Sequence, residues 1–141
     1  MLNIPKQFAI FLFLFLFVSG LHAEDSKMLE SVENSARAWL NLTDHEKYAE
    51  SWKNASALFR AKAPESDWVK NIKTIRSPLG TMKSRHLATA HSATSLPNTP
   101  DGEYVIVQFY TTFENKALTL ETVTTTKEQD NIWRVSDYLI E

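Results

Sequence analysis

Of the 141 residues, 61 are apolar, and 16 of these fall in the first 23. The 118 residues that follow suffice for one domain with a real core and are too few for two full-sized ones. They carry 14 basic residues against 17 acidic ones, and no cysteine. That balance excludes a basic field for nucleic acid, disulfides, thiolate metal sites and thiol catalysis.

The chain opens in the pattern of a secretory signal peptide. Lys6 gives a weakly positive start, Phe8 to Val18 is an unbroken apolar run of 11 residues, and Leu21-His22-Ala23 ends on a small residue. The run is well short of the roughly 20 apolar residues that a membrane span requires. Cleavage is expected between Ala23 and Glu24, leaving one domain over residues 24–141 with no stable membrane insertion. An uncleaved anchor is the alternative, because Leu21 is less usual than Ala at its place before the cut. A cysteine-free exported domain suits the bacterial periplasm.

Three helices are predicted next. The first runs from about Lys27 to Leu42, with Leu29, Val32, Ala36, Trp39 and Leu40 on one face. Thr43-Asp44-His45-Glu46 has the form of a capping box that starts the second helix, whose stripe is Tyr48, Trp52, Ala55 and Phe59. Pro64 suits the first turn of the third, Trp68, Ile72 and Ile75 are its stripe, and Pro78 and Gly80 close it.

Four strands follow, near Met82–Thr94, Glu103–Glu114, Ala117–Glu128 and Ile132–Ile140. Ser95 to Gly102 holds two prolines and an Asp-Gly and reads as a loop. The other connections read as tight hairpins around Asn115-Lys116 and Asp130-Asn131. Helices first and strands after predict an α+β domain, with three N-terminal helices packed on a four-stranded antiparallel sheet. Two-residue hairpins pair Phe113 with Leu118, Phe109 with Thr122, Thr126 with Val135 and Thr122 with Leu139. This register puts Val105, Val107, Phe109, Phe113, Leu118, Leu120, Trp133, Val135 and Leu139 against the helices. The opposite face then carries Tyr104, Ile106, Tyr110, Val123, Ile132, Tyr138 and Ile140, more apolar than a solvated sheet face normally is.

Few residues carry chemistry. His45-Glu46 begins a zincin-like motif, but Ala49 stands where the second histidine is needed. His86 and His91, five apart on a strand, point to opposite faces unless a bulge intervenes. Only Gly80 and Gly102 follow residue 23, so there is no glycine-rich phosphate cradle. No metal site or cofactor is expected. The remaining candidates are charges among apolar residues: Arg76, Arg85 and Glu121. Glu121 can pair with Arg85 or Arg76, as a structural pair or as the holder of an anionic ligand.

The string Tyr48-x-x-x-Trp52-x-x-Ala55, Trp68, Arg76-x-Pro78-Leu79-Gly80, Arg85 and Leu96-Pro97 is distinctive in combination. So are Pro100-Asp101-Gly102-Glu103-Tyr104, Phe113-x-Asn115-Lys116, Glu121-Thr122-Val123 and Trp133-Arg134-Val135-x-x-Tyr138. In order and spacing, over about Leu29 to Ile140, the chain resembles the bacterial domain of unknown function 4019. The resemblance implies an exported bacterial protein with no established activity and no catalytic residues to carry over. Asn131 and Asp137 stand where that family often has Gly. The element order also resembles the cystatin-like or nuclear-transport-factor-2-like cone, in which a curved antiparallel sheet wraps the helices. Such folds host both enzymes and binding modules.

Two functions are therefore expected in turn. The first is a periplasmic binding or protein-interaction module. It would form a homo-oligomer or meet an envelope protein partner through Tyr104, Ile106, Tyr110, Val123, Tyr138 and Ile140. The alternative is a small-molecule ligand-binding protein or cofactor-free enzyme using the cone interior, with Glu121 as a base and Arg85 or Arg76 on an anion.

Overall fold

The computed structural model describes residues 18–141, with side chains from residue 23. Lys6 and nearly all of the run Phe8–Val18 lie outside the described residues. The chain divides into Met1–Glu30 and Ser31–Glu141. In the first part the backbone is helical from Val18 onward. No helix among the described residues is long and apolar enough to cross a membrane.

Helix α1 spans Val18–Asp44. Val32, Ala36, Trp39 and Leu40 are buried, as their helical spacing requires. The helix runs two residues beyond the expected end. The Lys47 N–H donates to the Leu42 carbonyl at 2.8 Å and the Glu46 N–H to the Thr43 carbonyl at 3.2 Å. Glu46 sits at φ 58°. This is a Schellman cap, with Glu46 at the left-handed site where glycine is usual. Thr43 and Glu46 therefore close α1 instead of boxing the next helix. The Thr43 hydroxyl donates back to the Leu40 carbonyl.

The predicted second helix is two: α2, Tyr48–Asn54, and α3, Ala57–Lys62. Ala55 and Ser56 are extended between them, and the Ser56 hydroxyl caps α3 by accepting from the Phe59 N–H. Helix α4 spans Glu65–Arg76, with Pro64 just before it, and a 3₁₀ turn follows at Ser77–Leu79. Among the described residues there are thus four α-helices where three were expected. On α4, Ile72 is buried, but Ile75 is 47% exposed and Arg76 takes the inward place one turn on. Trp39 packs its ring 5.7 Å from Phe59, 5.8 Å from Trp68 and 5.3 Å from Tyr138.

Strands β1 (Met82–Ala93), β2 (Tyr104–Phe113), β3 (Lys116–Lys127) and β4 (Trp133–Ile140) lie within two residues of their predicted bounds. They form one antiparallel sheet in the order β1-β2-β3-β4. The fold is α+β, with N-terminal helices on a four-stranded open sheet. Gly80, at φ 74°, turns the chain from the helices into β1. A Cβ there would lie 2.9 Å from the Glu114 Cβ. The β2–β3 turn is Glu114-Asn115, one residue earlier than predicted, and Asn115 holds the Leu79 and Pro78 carbonyls. The β3–β4 connection is longer than the predicted tight turn. The Asn131 N–H donates to the Glu128 carbonyl at 2.9 Å, and Asn131 adopts φ 62°. The turn is thus closed by a left-handed residue, a role Asn fills in place of Gly.

Register is where structure and expectation part. Phe113 pairs with Lys116, Thr111 with Thr119 and Phe109 with Glu121. Thr126 pairs with Arg134 and Thr125 with Val135, while Thr122 pairs with Leu139 as expected. The displaced turns shift both registers; the bulge at Thr111/Phe113 then leaves β3 one residue off against β2, and the one at Thr124/Thr125 restores the expected pairing of β4 beyond it. Each bulge adds a residue to one strand and reverses which side chains face inward. The helix side thus holds Val105, Val107, Phe109 and Thr111, with Glu121, Val123, Thr125, Val135 and Tyr138 beside them. Leu118 and Leu139, expected in the core, are 68% and 52% exposed.

Candidate functional site

The helix ends and the sheet bring four charges into one buried cluster. Asp44 closes α1, Arg76 closes α4, Arg85 lies on β1 and Glu121 on β3. Arg85 donates from Nη1 and Nη2 to the two Asp44 oxygens at 2.7 and 2.9 Å, and from Nε to Glu121 Oε1 at 2.7 Å. Arg76 donates from Nη2 to Asp44 Oδ1 at 2.6 Å and from Nη1 to the Thr43 hydroxyl at 2.8 Å. Glu121 also accepts from Thr111 at 2.5 Å and from the Tyr138 hydroxyl. The Glu121 side chain is fully buried, and those of Arg76, Arg85 and Asp44 are 4%, 5% and 7% exposed. Forked guanidinium–carboxylate contacts of this kind are strong and direction-specific.

Electrostatics follow from this geometry. Burial alone would raise the Asp44 pKa, but the hydrogen bonds and charges of Arg85 and Arg76 hold it below the ordinary carboxylate value. Burial opposes the Arg85 charge, and Asp44 and Glu121 more than restore it. The Tyr138 phenol is pushed well up by burial and by the Glu121 carboxylate, so it stays a donor. The Phe113 ring lies 4.8 Å from the Arg76 guanidinium carbon. The Arg76 Nε–H is buried without a partner.

The three charged residues picked out in the sequence therefore meet, directly or through Asp44. A family model described as a protein of unknown function, DUF4019, matches residues 35–138. The chain belongs to this family. No curated protein matches it. The DUF4019 match spans the whole cluster, from Thr43 and Asp44 to Tyr138.

Asp44 was missed because the sequence read it as an interior residue of a capping box. Charge balance was the available signal: two arginines on buried stripes require two carboxylates, and Glu121 is one. Of the six residues expected on the second face, Tyr104, Ile106 and Tyr110 lie on the outer side of the sheet. Val123, Tyr138 and Ile140 lie on the helix side with their partners Val107, Val123 and Glu121. Tyr104 is covered by the loop before β2, where its hydroxyl donates to the Pro100 carbonyl. His86 and His91 both pair with outer-face residues, Tyr110 and Ile106, because β1 bulges between Leu87 and Thr89. Their β2 partners are four residues apart, about 13 Å along a strand. They do not converge, and no group of metal-ligating side chains occurs among the described residues.

Of the cavities among the described residues, two bear on these elements. One of about 410 Å³ lies between α3, the loop at Leu96–Pro100 and the outer sheet residues Ile106 and Thr124. The other, about 240 Å³, is walled by Thr43, Asp44, Glu46, Tyr48, Arg76 and Thr81 and is mostly polar.

Proposed function

We propose that this DUF4019 protein is an exported periplasmic binding module that self-associates through the outer face of its sheet. The reading rests on one observation. Tyr110 pairs directly with Leu120, Leu139 lies on the adjoining strand, and Leu118 precedes Leu120 on the same face. Tyr110, Leu118 and Leu139 are each at least half exposed. Their neighbours Gln108 and Thr122 are uncharged and hydrogen-bonded to each other. A second copy packed there about a two-fold axis brings no like charges together at the centre. Each such side chain buried at an interface contributes about 1.5–3 kcal/mol of hydrophobic transfer. The cystatin-like or nuclear-transport-factor-2-like cone remains part of this proposal, supported by the element order.

Catalysis by Glu121 finds little support. Its carboxylate holds three donors inside the cluster and has no exposed surface. Light scattering on the protein purified in its processed form tests the reading. A dimer in the micromolar range is expected, with Leu118→Glu and Tyr110→Glu folded but monomeric. A strict monomer across that range overturns it, and capture of an envelope protein by the same face then becomes the reading to pursue.

A further inference from the structure

We propose that the pocket beside Arg76 binds a small zwitterion bearing a carboxylate and an ammonium group, of the free amino-acid class. The site is independent of the outer sheet face.

The starting point is an imbalance in hydrogen bonding. A guanidinium carries five N–H groups. Arg76, with its side chain 4% exposed, uses one Nη1–H for Thr43 and one Nη2–H for Asp44, which leaves a second hydrogen on each Nη without a partner among the described residues; its Nε–H is also unpaired but sealed away from solvent. Buried donors in folded proteins are nearly always satisfied. Here the underused donor set belongs to a residue that walls a polar pocket. A carboxylate is the strongest acceptor for it.

Charge decides what accompanies that carboxylate. Asp44, Glu121, Arg76 and Arg85 together sum to zero, so a lone anion would arrive uncompensated beside Asp44. Glu46 supplies a further carboxylate on the pocket wall, and it is exposed. An ammonium group on the same ligand pairs with Glu46 while the ligand carboxylate faces Arg76. Tyr48 also lines the pocket. Size agrees: at about 30 Å³ per water in the liquid, 240 Å³ holds roughly eight water-sized groups. That suits a molecule well below drug size.

The backbone gives a second pointer. Glu46 occupies the left-handed cap of α1 at φ 58°, where glycine is unstrained. A side chain kept at such a site despite its strain directs attention to that side chain.

Titration calorimetry on the purified protein tests this, with glycine, L-alanine and L-serine as probes and acetate and methylammonium as single-charge controls. Saturable binding is expected for at least one zwitterion and weaker binding for both controls. Arg76→Lys endangers the buried cluster, so Glu46→Gln carries the mutational test. It should leave the melting temperature near that of wild type and weaken zwitterion binding about fivefold, as loss of an exposed ion pair does. Acetate binding as tight as that of the zwitterions, unaffected by Glu46→Gln, overturns the zwitterion in favour of a plain carboxylate site. No saturable binding of any probe overturns the site altogether. The oligomer measurement above is read separately, so either result stands without the other.

Discussion

Two clusters share the layer between helices and sheet, and they are held by different physics. The aromatic one, Trp39, Phe59, Trp68 and the Tyr138 ring, is held by contact area and edge-on stacking. The charged one, Asp44, Arg76, Arg85 and Glu121, is held by hydrogen bonds that each need a specific partner. Tyr138 belongs to both, with its ring on Trp39 and its hydroxyl on Glu121. Contact area degrades gradually when a side chain is trimmed. A buried charge deprived of its partner does not. The aromatic end supplies stability, and the charged end supplies position, chiefly that of Arg76.

The sharpest way to break this contrast is to remove one partner from each cluster. Asp44→Ala leaves two buried guanidinium groups without their shared carboxylate and should cost about 3–5 kcal/mol. Phe59→Leu trims the aromatic end and should cost about 1–3 kcal/mol. Urea denaturation of both variants gives the comparison. Equal losses would mean that the charged cluster is not the more brittle of the two.

Acid offers a milder probe of the same difference. Asp44 has its pKa lowered in the folded state, because the two arginines outweigh burial. A group of this kind contributes stability above its unfolded value, near 3.8, and that contribution is lost as pH falls through the folded value. Denaturation midpoints should therefore drop steeply below about pH 4. Asp44→Asn, already weakened at neutral pH, should show a shallower drop. Parallel curves would place the acid sensitivity in other carboxylates.

These two clusters were unequally legible in the sequence. Trp39, Phe59 and Trp68 declare themselves by helical spacing, because apolar periodicity directly records which face is buried. The strands were equally readable from their bounding turns. Glu121 and Arg85 stood out as charges among apolar residues, and they do pair. Asp44 did not stand out, since Thr43-x-x-Glu46 satisfies the rule for a helix start as well as the actual helix end. Choosing between them needs φ at Glu46, which depends on tertiary packing. The outer-face patch differs from the expected one for a related reason. A bulge has no periodic signature, yet one extra residue exchanges the faces of everything beyond it. Leu118 and Leu139 thus came out exposed while Val123 went in.

The smallest expected effect is the one with opposite sign. Glu46 holds a left-handed conformation that costs a side-chain-bearing residue about 1 kcal/mol or more. Glycine avoids that strain but loses more chain entropy on folding, by up to about 1 kcal/mol. Since glycine is the usual residue at this cap, the strain term should win, and Glu46→Gly should raise stability by about 0.5 kcal/mol. The same substitution removes the carboxylate from the wall of the Arg76 pocket. Stability and zwitterion affinity should then move in opposite directions in one variant, the pattern expected where a residue is kept for function. A loss of stability on Glu46→Gly would instead give the Glu46 side chain a structural task. The strained cap would then no longer point to the pocket, which would rest on the unused Arg76 Nη hydrogens alone.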